Sequence, residues 1–271
     1  MTASPSKLKV LDLFSGIGGF SLGLERTGGF ETVAFCEICP KARKVLRKHW
    51  ADVPIYNDIK DLTHDRLASR GIFPTVIAGG FPCTDISHAT QNQLGLKGEQ
   101  SGLWSEMLRL ITEVRPQWAI IENVPALLYR GLTLVLQNLC EIGYLSEWHC
   151  ISAAQIGARH KRDRVWIIAR KIEVPNTVSL REEGRDWEGC TDGERFIFSY
   201  ESGRRTLGSE IDRRSKLFRE TQHWEIESPV PRVLDGISNR LDRCKQLGNS
   251  VVPQIPELLG NAILEVEVNN V

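Results

Sequence analysis

The sequence predicts an α/β fold in which a parallel sheet carries helices on both faces. Over the first 170 residues, short apolar runs alternate with amphipathic stretches, and this alternation is typical of strands joined by crossover helices. The chain has 271 residues, which suits one large domain or one domain with a small second one. Apolar residues make up 41% and charged residues 25% of the chain, and these ordinary globular values exclude wholesale disorder.

Seven strands are predicted in chain order, and the last two look extended enough to form a hairpin. The strands are expected at residues 9–14, 31–36, 53–56, 75–78, 118–121, 145–152 and 164–169. Helical patterns lie between them at residues 20–26, 40–50, 61–69 and 101–114, and residues 251–264 predict a closing helix. Pro40 suits the first turn of the second helix, because its fixed φ is already helical.

The composition changes after Lys171. Residues 176–228 are rich in Arg, Glu, Gly and Ser, and they show no helical or strand period. A compact domain rarely holds an unstructured loop this long, so a small inserted domain is the better interpretation. We therefore divide the chain into a catalytic and cofactor-binding domain at 1–171, a small target-recognition region at 172–231 and a return segment at 232–271.

Charge and hydropathy exclude several classes of protein. The 34 Lys plus Arg residues balance 34 Asp plus Glu residues, so the chain cannot bind nucleic acid through bulk charge alone. No run approaches the 18 or so apolar residues of a membrane span, and the N-terminus lacks the apolar stretch of a signal peptide. Seven cysteines, an odd number, indicate reduced thiols and a cytoplasmic location.

A glycine-rich loop follows the first predicted strand at residues 14–19. Ligands of open α/β sheets bind where the strands end, and glycines let a ligand approach the backbone there. A dinucleotide fingerprint would need glycine at Ser21, which weakens a hydride-transfer interpretation. Glu37 ends the second strand where a carboxylate can bind ribose hydroxyls, and Asp58 follows the third strand, where it can accept a bond from an adenine amino group. Together they predict a nucleoside cofactor. The residues that we expect to complete its pocket are Phe14, Ser15, Gly16, Ile17, Gly18, Ile38 and Ile59.

Three further loops carry groups suited to covalent chemistry. Cys83 follows the fourth strand on a Gly/Pro-shaped loop, with a polar stretch behind it, residues 84–101, that could act as a lid. Glu122 ends the fifth strand, where a carboxylate across a cleft from a thiol can act as a general acid. A basic turn at residues 159–164 abuts the last strand, so that its alternate arginines, Arg162 and Arg164, can point back toward the site.

These motifs resemble those of the DNA cytosine-5 methyltransferases of prokaryotes and phages. The resemblance rests on five elements that occur in the family's order, with its approximate spacing, over nearly the whole chain: Phe14–Gly19, Pro82-Cys83, Glu122-Asn123-Val124, Lys161–Arg164 and Gly248–Pro253. The chain departs from the family at Thr84 and His160, where family members usually have Gln, and residues 232–246 match the penultimate motif poorly.

The resemblance implies a Rossmann-like methyltransferase sheet with a small inserted target-recognition domain and S-adenosylmethionine as cofactor. It also implies Cys83 as nucleophile, Glu122 as partner of the target base and Arg164 as a contact to the base's carbonyl, with Asn249 and Ser250 completing the cofactor pocket. The implied substrate is a cytosine flipped out of double-stranded DNA. The expected enzyme is a monomer without a metal, with a cognate restriction endonuclease as a possible partner.

Other interpretations use the same residues differently. The same chemistry on tRNA cytosine is one, although the insert after Lys171 favours DNA, whose duplex sequence must be read by something beyond the sheet. A catalytically silent nucleic-acid-binding paralogue would not need Cys83 and Glu122. Cys36 and Cys39 form a CxxC pair, but no second CxxC exists to complete a metal site. A small-molecule methyltransferase would have no use for a Pro-Cys nucleophile.

Overall fold

The structure is a computed structural model that describes residues 6–82, 102–158, 160–172 and 250–269, together with Gly208, Ile211, Arg213 and Arg214. Within these residues, seven strands form one sheet. They are β1 (Leu8–Leu13), β2 (Phe30–Cys36), β3 (Ile55–Tyr56), β4 (Val76–Gly79), β5 (Trp118–Asn123), β6 (Tyr144–Ser152) and β7 (Asp163–Lys171). The helices are α1 (Gly19–Arg26), α2 (Pro40–His49), α3 (His64–Ala68), α4 (Gly102–Val114), α5 (Leu127–Arg130), α6 (Leu132–Glu141) and α7 (Gln254–Asn269).

The sheet has the order β3-β2-β1-β4-β5-β7-β6. The first five strands in this order are parallel, as the alternating sequence pattern predicts. β6 and β7 form the expected hairpin, and β7 lies antiparallel between β5 and β6. The prediction of a parallel sheet is therefore incomplete, because a hairpin that joins the sheet must bring in one strand of opposite direction.

Helices cover both faces of the sheet, as predicted. One face packs against α3, α4 and α6, with Met107 and Leu110 of α4 fully buried against Leu13 and Ile77. The other face packs against α1 and α7. Alternate residues of each strand point to opposite faces, and both faces are apolar here because neither is left to solvent.

Two helices, α5 and α6, are absent from the sequence prediction. The buried face of α6 consists of Leu132, Val135 and Leu139, whose spacing of three and four residues is the helical signal that could have predicted this helix. No helix in the part of the chain that the structure describes is both long and apolar enough to cross a membrane.

The closing helix α7 packs directly on α1. A Cβ added at Gly23 of α1 would collide with the backbone oxygen of Pro253 and would lie 2.8 Å from Cβ of Pro256. A Cβ added at Gly260 of α7 would lie 3.1 Å from the side chains of Leu24, Phe30 and Thr27. The two helices therefore approach as closely as glycine allows, and the end of the chain is held beside the loop between β1 and α1.

A few residues of the region from 172 to 231 also lie against this layer. Ile211 is buried in the cluster that contains Trp166 and Ile255. Arg213 and Arg214 both pair with Glu265 of α7. This part of the region is therefore attached to the sheet and its helices.

We expect Gly23→Ala to destabilise the protein more than Gly260→Ala does. The methyl group introduced at position 23 would meet backbone that cannot rotate away, and overpacking of this kind typically costs about 1–3 kcal/mol. At Gly260 the neighbours are side-chain ends that can shift, and the higher helix propensity of Ala, worth about 1 kcal/mol, offsets the crowding. Thermal unfolding of both variants checks this, and equal melting temperatures would contradict the close approach of α1 and α7.

Candidate active site

The candidate site lies where the strand order reverses. β1 is followed along the chain by β2 on one side of it, and β4 lies on its other side. At such a switch point the connections leave in opposite directions, which opens a crevice at the carboxyl ends of the strands. The loop of residues 14–19 follows β1 at this point.

The backbone of the glycine loop needs glycine at two positions for different reasons. Gly16 has φ of 55°, and an added Cβ would have no neighbour within 4 Å, so the space above it is open. Gly18 has φ of 88°, and an added Cβ would lie 2.6 Å from the ring of Trp50. Phe14 also has positive φ, at 52°, which is uncommon for a non-glycine residue. The loop is thus closed on the Trp50 side and open toward the crevice.

Glu37 joins the glycine loop to the end of β2. Its Oε2 accepts a hydrogen bond from the amide of Gly16 at 2.7 Å, and its Oε1 accepts one from the amide of Cys39 at 2.7 Å. The residue is buried, with only 8% of its surface exposed. Ile38, the next residue, is 70% exposed and presents an apolar surface beside this carboxylate.

Asp58 follows β3 and caps a 3-10 turn, residues 59–61. Its Oδ1 accepts a hydrogen bond from the amide of Lys60 at 3.0 Å. Ile59 was expected in the pocket, but its side chain is buried in the core beneath the sheet. Ile59 can therefore offer a ligand its backbone and not its side chain.

Ser250 comes to the glycine loop from the far end of the chain. A Cβ added at Gly19 would lie 3.1 Å from its Oγ and 2.5 Å from the backbone oxygen of Val251. Asn249, the other residue expected to complete the pocket, lies outside the described residues.

Asp12 is a fully buried carboxyl beneath the glycine loop that the sequence analysis did not single out. Its Oδ2 accepts hydrogen bonds from Oγ of Ser21 at 2.7 Å and from the Ser21 amide at 3.3 Å. Its backbone oxygen accepts one from Oγ of Ser15 at 2.6 Å. Burial raises the pKa of Asp12 to about 7, although the bonds from Ser21 act in the opposite direction. Asp12 thus ties the loop to the first turns of α1.

The loop after β4 leads toward the expected nucleophile. The structure describes this loop through Pro82, and Cys83 lies outside the described residues, as do residues 84–101 of the expected lid. The side chain of Asn123 donates through Nδ2 to the backbone oxygen of Phe81 at 3.0 Å and accepts through Oδ1 from the amide of Val124 at 2.8 Å. Asn123 therefore fixes the course of the chain just before Cys83, a role that its place after Glu122 did not reveal.

Glu122 and Arg164 form a partly buried ion pair at the end of β5. Oε1 of Glu122 lies 2.8 Å from Nε of Arg164, and the two side chains are only 13% and 19% exposed. Burial raises the pKa of Glu122, and the positive charges of Arg164 and Arg162 partly oppose this shift. Burial and the neighbouring Arg164 lower the pKa of Arg162. A carboxyl with a raised pKa and two guanidiniums is suited to share a proton with a bound base.

Gly80 makes room for that carboxylate. A Cβ added at Gly80 would lie 2.6 Å from Oε2 of Glu122. The loop that leads to Cys83 and the carboxylate of Glu122 are therefore in direct contact.

The residues of the basic turn differ in exposure. His160 and Lys161 are exposed, whereas Arg162 and Arg164 are partly buried on the side of Glu122. Arg159 lies outside the described residues.

Cys36 of the CxxC pair lies in surroundings that disfavour its thiolate. Within the described ranges, no three His, Cys, Asp or Glu side chains are placed to hold a metal ion. Burial, with the nearby carboxylates of Asp58 and Glu37, raises the pKa of Cys36 to about 12. A thiol that stays protonated is a poor ligand and a poor nucleophile.

The strand order with antiparallel β7, and the glycine loop held by Glu37, define the class of Rossmann-like methyltransferases. Within this class the chain belongs to the C-5 cytosine-specific DNA methylases, because the sequence profile of that family matches residues 8–208. Methyltransferases of this family take the methyl group from S-adenosylmethionine.

Individual relatives agree with this assignment. The chain is 35% identical over 184 residues to type II methyltransferase M2.BsuMI of Bacillus subtilis, covering 65% of this chain and 45% of the relative. It is 35% identical over 188 residues to type II methyltransferase M.CviJI of Paramecium bursaria Chlorella virus IL3A, covering 66% and 48%. The chain thus spans about half the length of these relatives.

Solved structures share the fold. Spodoptera frugiperda DNMT2 superposes with a TM-score of 0.52 at 20% identity, covering 65% of this chain and 54% of that one. An E. coli prophage protein described as a DNA modification methyltransferase gives a TM-score of 0.50 at 27% identity, covering 61% and 47%.

We expect Asp12 to make stability fall as pH rises from about 4 to about 7. The folded protein retains this proton while the unfolded chain has lost it, so the stabilising effect is complete below the ordinary pKa of 3.8 and disappears as pH passes through about 7. A shift of this size corresponds to at most about 4 kcal/mol. Urea unfolding from pH 4 to pH 8 should show a decline in wild type that Asp12→Asn reduces. Parallel pH profiles for the two proteins would mean that Asp12 ionises normally.

Proposed function

We propose that this protein is a DNA cytosine-5 methyltransferase of the restriction-modification kind, which transfers a methyl group from S-adenosylmethionine to carbon 5 of a cytosine in duplex DNA. The observation that carries this proposal is the buried pair of Glu122 and Arg164 in contact with the loop that leads to Cys83. This pair lies at the same edge of the sheet as the glycine loop and Glu37.

The residues around the glycine loop fit the cofactor. The open space above Gly16 admits a ligand against the backbone. We assign Glu37 to the ribose hydroxyls and Ile38 to the face of the adenine ring. In support, the carboxylate of Glu37 is bonded to the amide of Gly16, and the side chain of Ile38 beside it is exposed. Asp58 then accepts from the adenine amino group, while Phe14, Ser15, Ile17, Gly18, the Ile59 backbone, Asn249 and Ser250 complete the pocket. When bound, the cofactor supplies an electrophilic methyl group on a sulfonium.

Cys83 provides the activation that cytosine needs. Carbon 5 of cytosine is a poor nucleophile, so direct methylation is slow. When the thiolate of Cys83 forms a bond to carbon 6, the ring electrons move to carbon 5, which becomes nucleophilic. Bound S-adenosylmethionine would supply the methyl group, and its sulfur would keep the electron pair of the broken S–CH3 bond and leave as S-adenosylhomocysteine. Loss of the proton from carbon 5 to a base expels Cys83 and restores the ring. Covalent catalysis replaces one difficult step by two easier ones.

Glu122, Arg162 and Arg164 act on the ring during the addition. Negative charge develops at nitrogen 3, and a proton held by Glu122 neutralises it. The raised pKa of Glu122 supports this role, because burial makes it easier for this carboxyl than for one in water to take up a proton and donate it. Arg164 holds the carbonyl oxygen of the ring, and Arg162 adds positive charge beside it. The cytosine reaches these groups only after it is flipped out of the duplex, which costs a few kcal/mol.

The region from 172 to 231 is the proposed target-recognition region. Its arginines offer the donors that guanine edges and phosphates accept. Arg213 and Arg214 pair with Glu265 of α7, so we assign them to attachment and not to reading. The six that remain for recognition are the arginines at positions 181, 185, 195, 204, 205 and 219. We further propose a monomer that works in the cytoplasm beside a cognate restriction endonuclease.

We expect Cys83→Ala to abolish methylation and covalent trapping. Duplex DNA containing 5-fluorocytosine retains the adduct, because fluorine cannot leave as a proton does. Wild-type protein with S-adenosylmethionine should therefore give a DNA complex that survives denaturing electrophoresis, and Cys83→Ala should not. Cys140→Ala is the matched control, since Cys140 is an exposed cysteine on α6. Methylation of DNA by Cys83→Ala, or trapping on RNA in place of DNA, would overturn the proposal.

We expect the pair Arg204→Ala with Arg205→Ala to change DNA recognition. If these residues contact bases, bisulfite sequencing will show a relaxed methylated sequence. If they contact phosphates, binding to all sequences will weaken and its salt slope will fall by about one for each lost contact.

The pair Arg213→Ala with Arg214→Ala is the matched control. It should lower the melting temperature, because it removes the ion pairs to Glu265, and leave the methylated sequence unchanged. Recognition lies elsewhere if no pair among the six arginines alters either the methylated sequence or the salt slope.

A further inference from the structure

We propose that Arg109 is a positioning residue for the cofactor: it fixes the turn that carries Asp58 and thereby determines the affinity for the adenine ring. Arg109 lies on α4, outside every motif discussed above. This inference rests on the proposed function, because it concerns how the same pocket holds S-adenosylmethionine.

The guanidinium of Arg109 holds both ends of the turn. Its Nη2 donates to the backbone oxygen of Ile59 at 3.0 Å and to that of Leu62 at 2.9 Å. Ile59 opens the 3-10 turn directly after Asp58, and Leu62 is the residue that closes it. A single nitrogen thus fixes the two carbonyls that define the position of Asp58 relative to α4.

Two carboxylates hold the guanidinium in that orientation. Nε of Arg109 donates to Oε2 of Glu106 at 2.8 Å, and Nη1 donates to Oε1 of Glu113 at 2.7 Å. Oε2 of Glu113 accepts from the amide of His64 at 3.1 Å, which attaches the start of α3 to the same network. The Arg109 side chain is only 30% exposed. A planar group with several donors is needed for this arrangement, and a lysine cannot reproduce it.

The side chains of Ile59 and Leu62 are buried in the core beneath this turn, whereas few backbone hydrogen bonds attach the turn to the sheet. β3, which precedes Asp58, contributes only Ile55 and Tyr56 to the ladder with β2. The carboxylate of Asp58 already accepts from Lys60 within the turn, so a shift of the turn moves the carboxylate with it. Arg109 links this edge to α4, a long helix buried against the middle of the sheet.

The test uses two ligands that differ at the adenine amino group. Calorimetric titration of the full chain gives Kd for each ligand. S-adenosylhomocysteine carries the adenine amino group, whereas S-inosylhomocysteine carries an oxygen in its place, so the difference between the two Kd values reports the contact to that amino group. We expect Arg109→Gln to raise Kd for S-adenosylhomocysteine by about tenfold, the effect of losing one hydrogen bond to a charged group. Kd for S-inosylhomocysteine should change by less than about twofold, because this ligand has no amino group for Asp58 to bind and so has no such hydrogen bond to lose. Arg109→Lys should show the same selectivity, and thermal unfolding confirms that the variants are folded.

Two control variants separate this role from others. Glu37→Gln should weaken both ligands equally, because Glu37 serves the ribose that the ligands share. Arg115→Gln removes an arginine just after α4 that bonds the backbone oxygen of Ile142, far from Asp58 in the chain, and it should leave both Kd values unchanged. With saturating S-adenosylmethionine, Arg109→Gln should retain the wild-type kcat while its KM for the cofactor rises.

Unchanged affinity of Arg109→Gln for S-adenosylhomocysteine would overturn the inference and leave the proposed function intact. Equal losses for both ligands would also overturn it, because the effect would then not pass through Asp58. A wild-type protein that binds neither ligand would overturn the proposed function itself, and the inference with it.

Discussion

The rest of the site depends on the two hydrogen bonds that the carboxylate of Glu37 accepts from the amides of Gly16 and Cys39. One side chain thereby connects the loop after β1 to the start of α2, across two neighbouring strands. A charged acceptor shared by two backbone donors is among the stronger hydrogen-bonding arrangements in proteins. It holds the glycine loop open toward the crevice, where the space above Gly16 remains free.

Close packing beneath the loop makes this arrangement rigid. The ring of Trp50 occupies the position that a side chain at Gly18 would take, and its Nε1 donates to Oε2 of Glu25 on α1 at 2.9 Å. Asp12 and Ser21 connect the base of the loop to the same helix. Closely packed protein interiors deform little. A cofactor bound at this loop would therefore meet a preformed surface, and the loop would need little ordering on binding.

Features that follow from a short stretch of sequence, such as strands and the residues at their ends, could be predicted. Features that depend on contacts between residues far apart in the chain could not. The strands and the positions of Glu37 and Glu122 follow from apolar runs and from the rule that ligands bind at strand ends. Arg109 gave no such signal, because its partners Ile59 and Leu62 lie about 50 residues away in the chain and present only backbone oxygens. The burial of the Ile59 side chain likewise depends on packing that no spacing reveals.

The antiparallel direction of β7 explains how this edge of the sheet holds both a carboxylate and its cations. Parallel strands bring only their carboxyl ends to this edge, and the residues that begin them lie at the opposite edge. β7 runs the other way, with Val165 opposite Asn123, so its first residues lie beside the last residues of β5. Arg164 therefore reaches Glu122 from the start of a strand. A seventh parallel strand in this place would carry Arg162 and Arg164 to the far edge and leave Glu122 buried without a counter-charge. The reversal of a single strand thus brings positive charge beside a carboxylate that would otherwise be buried without a partner.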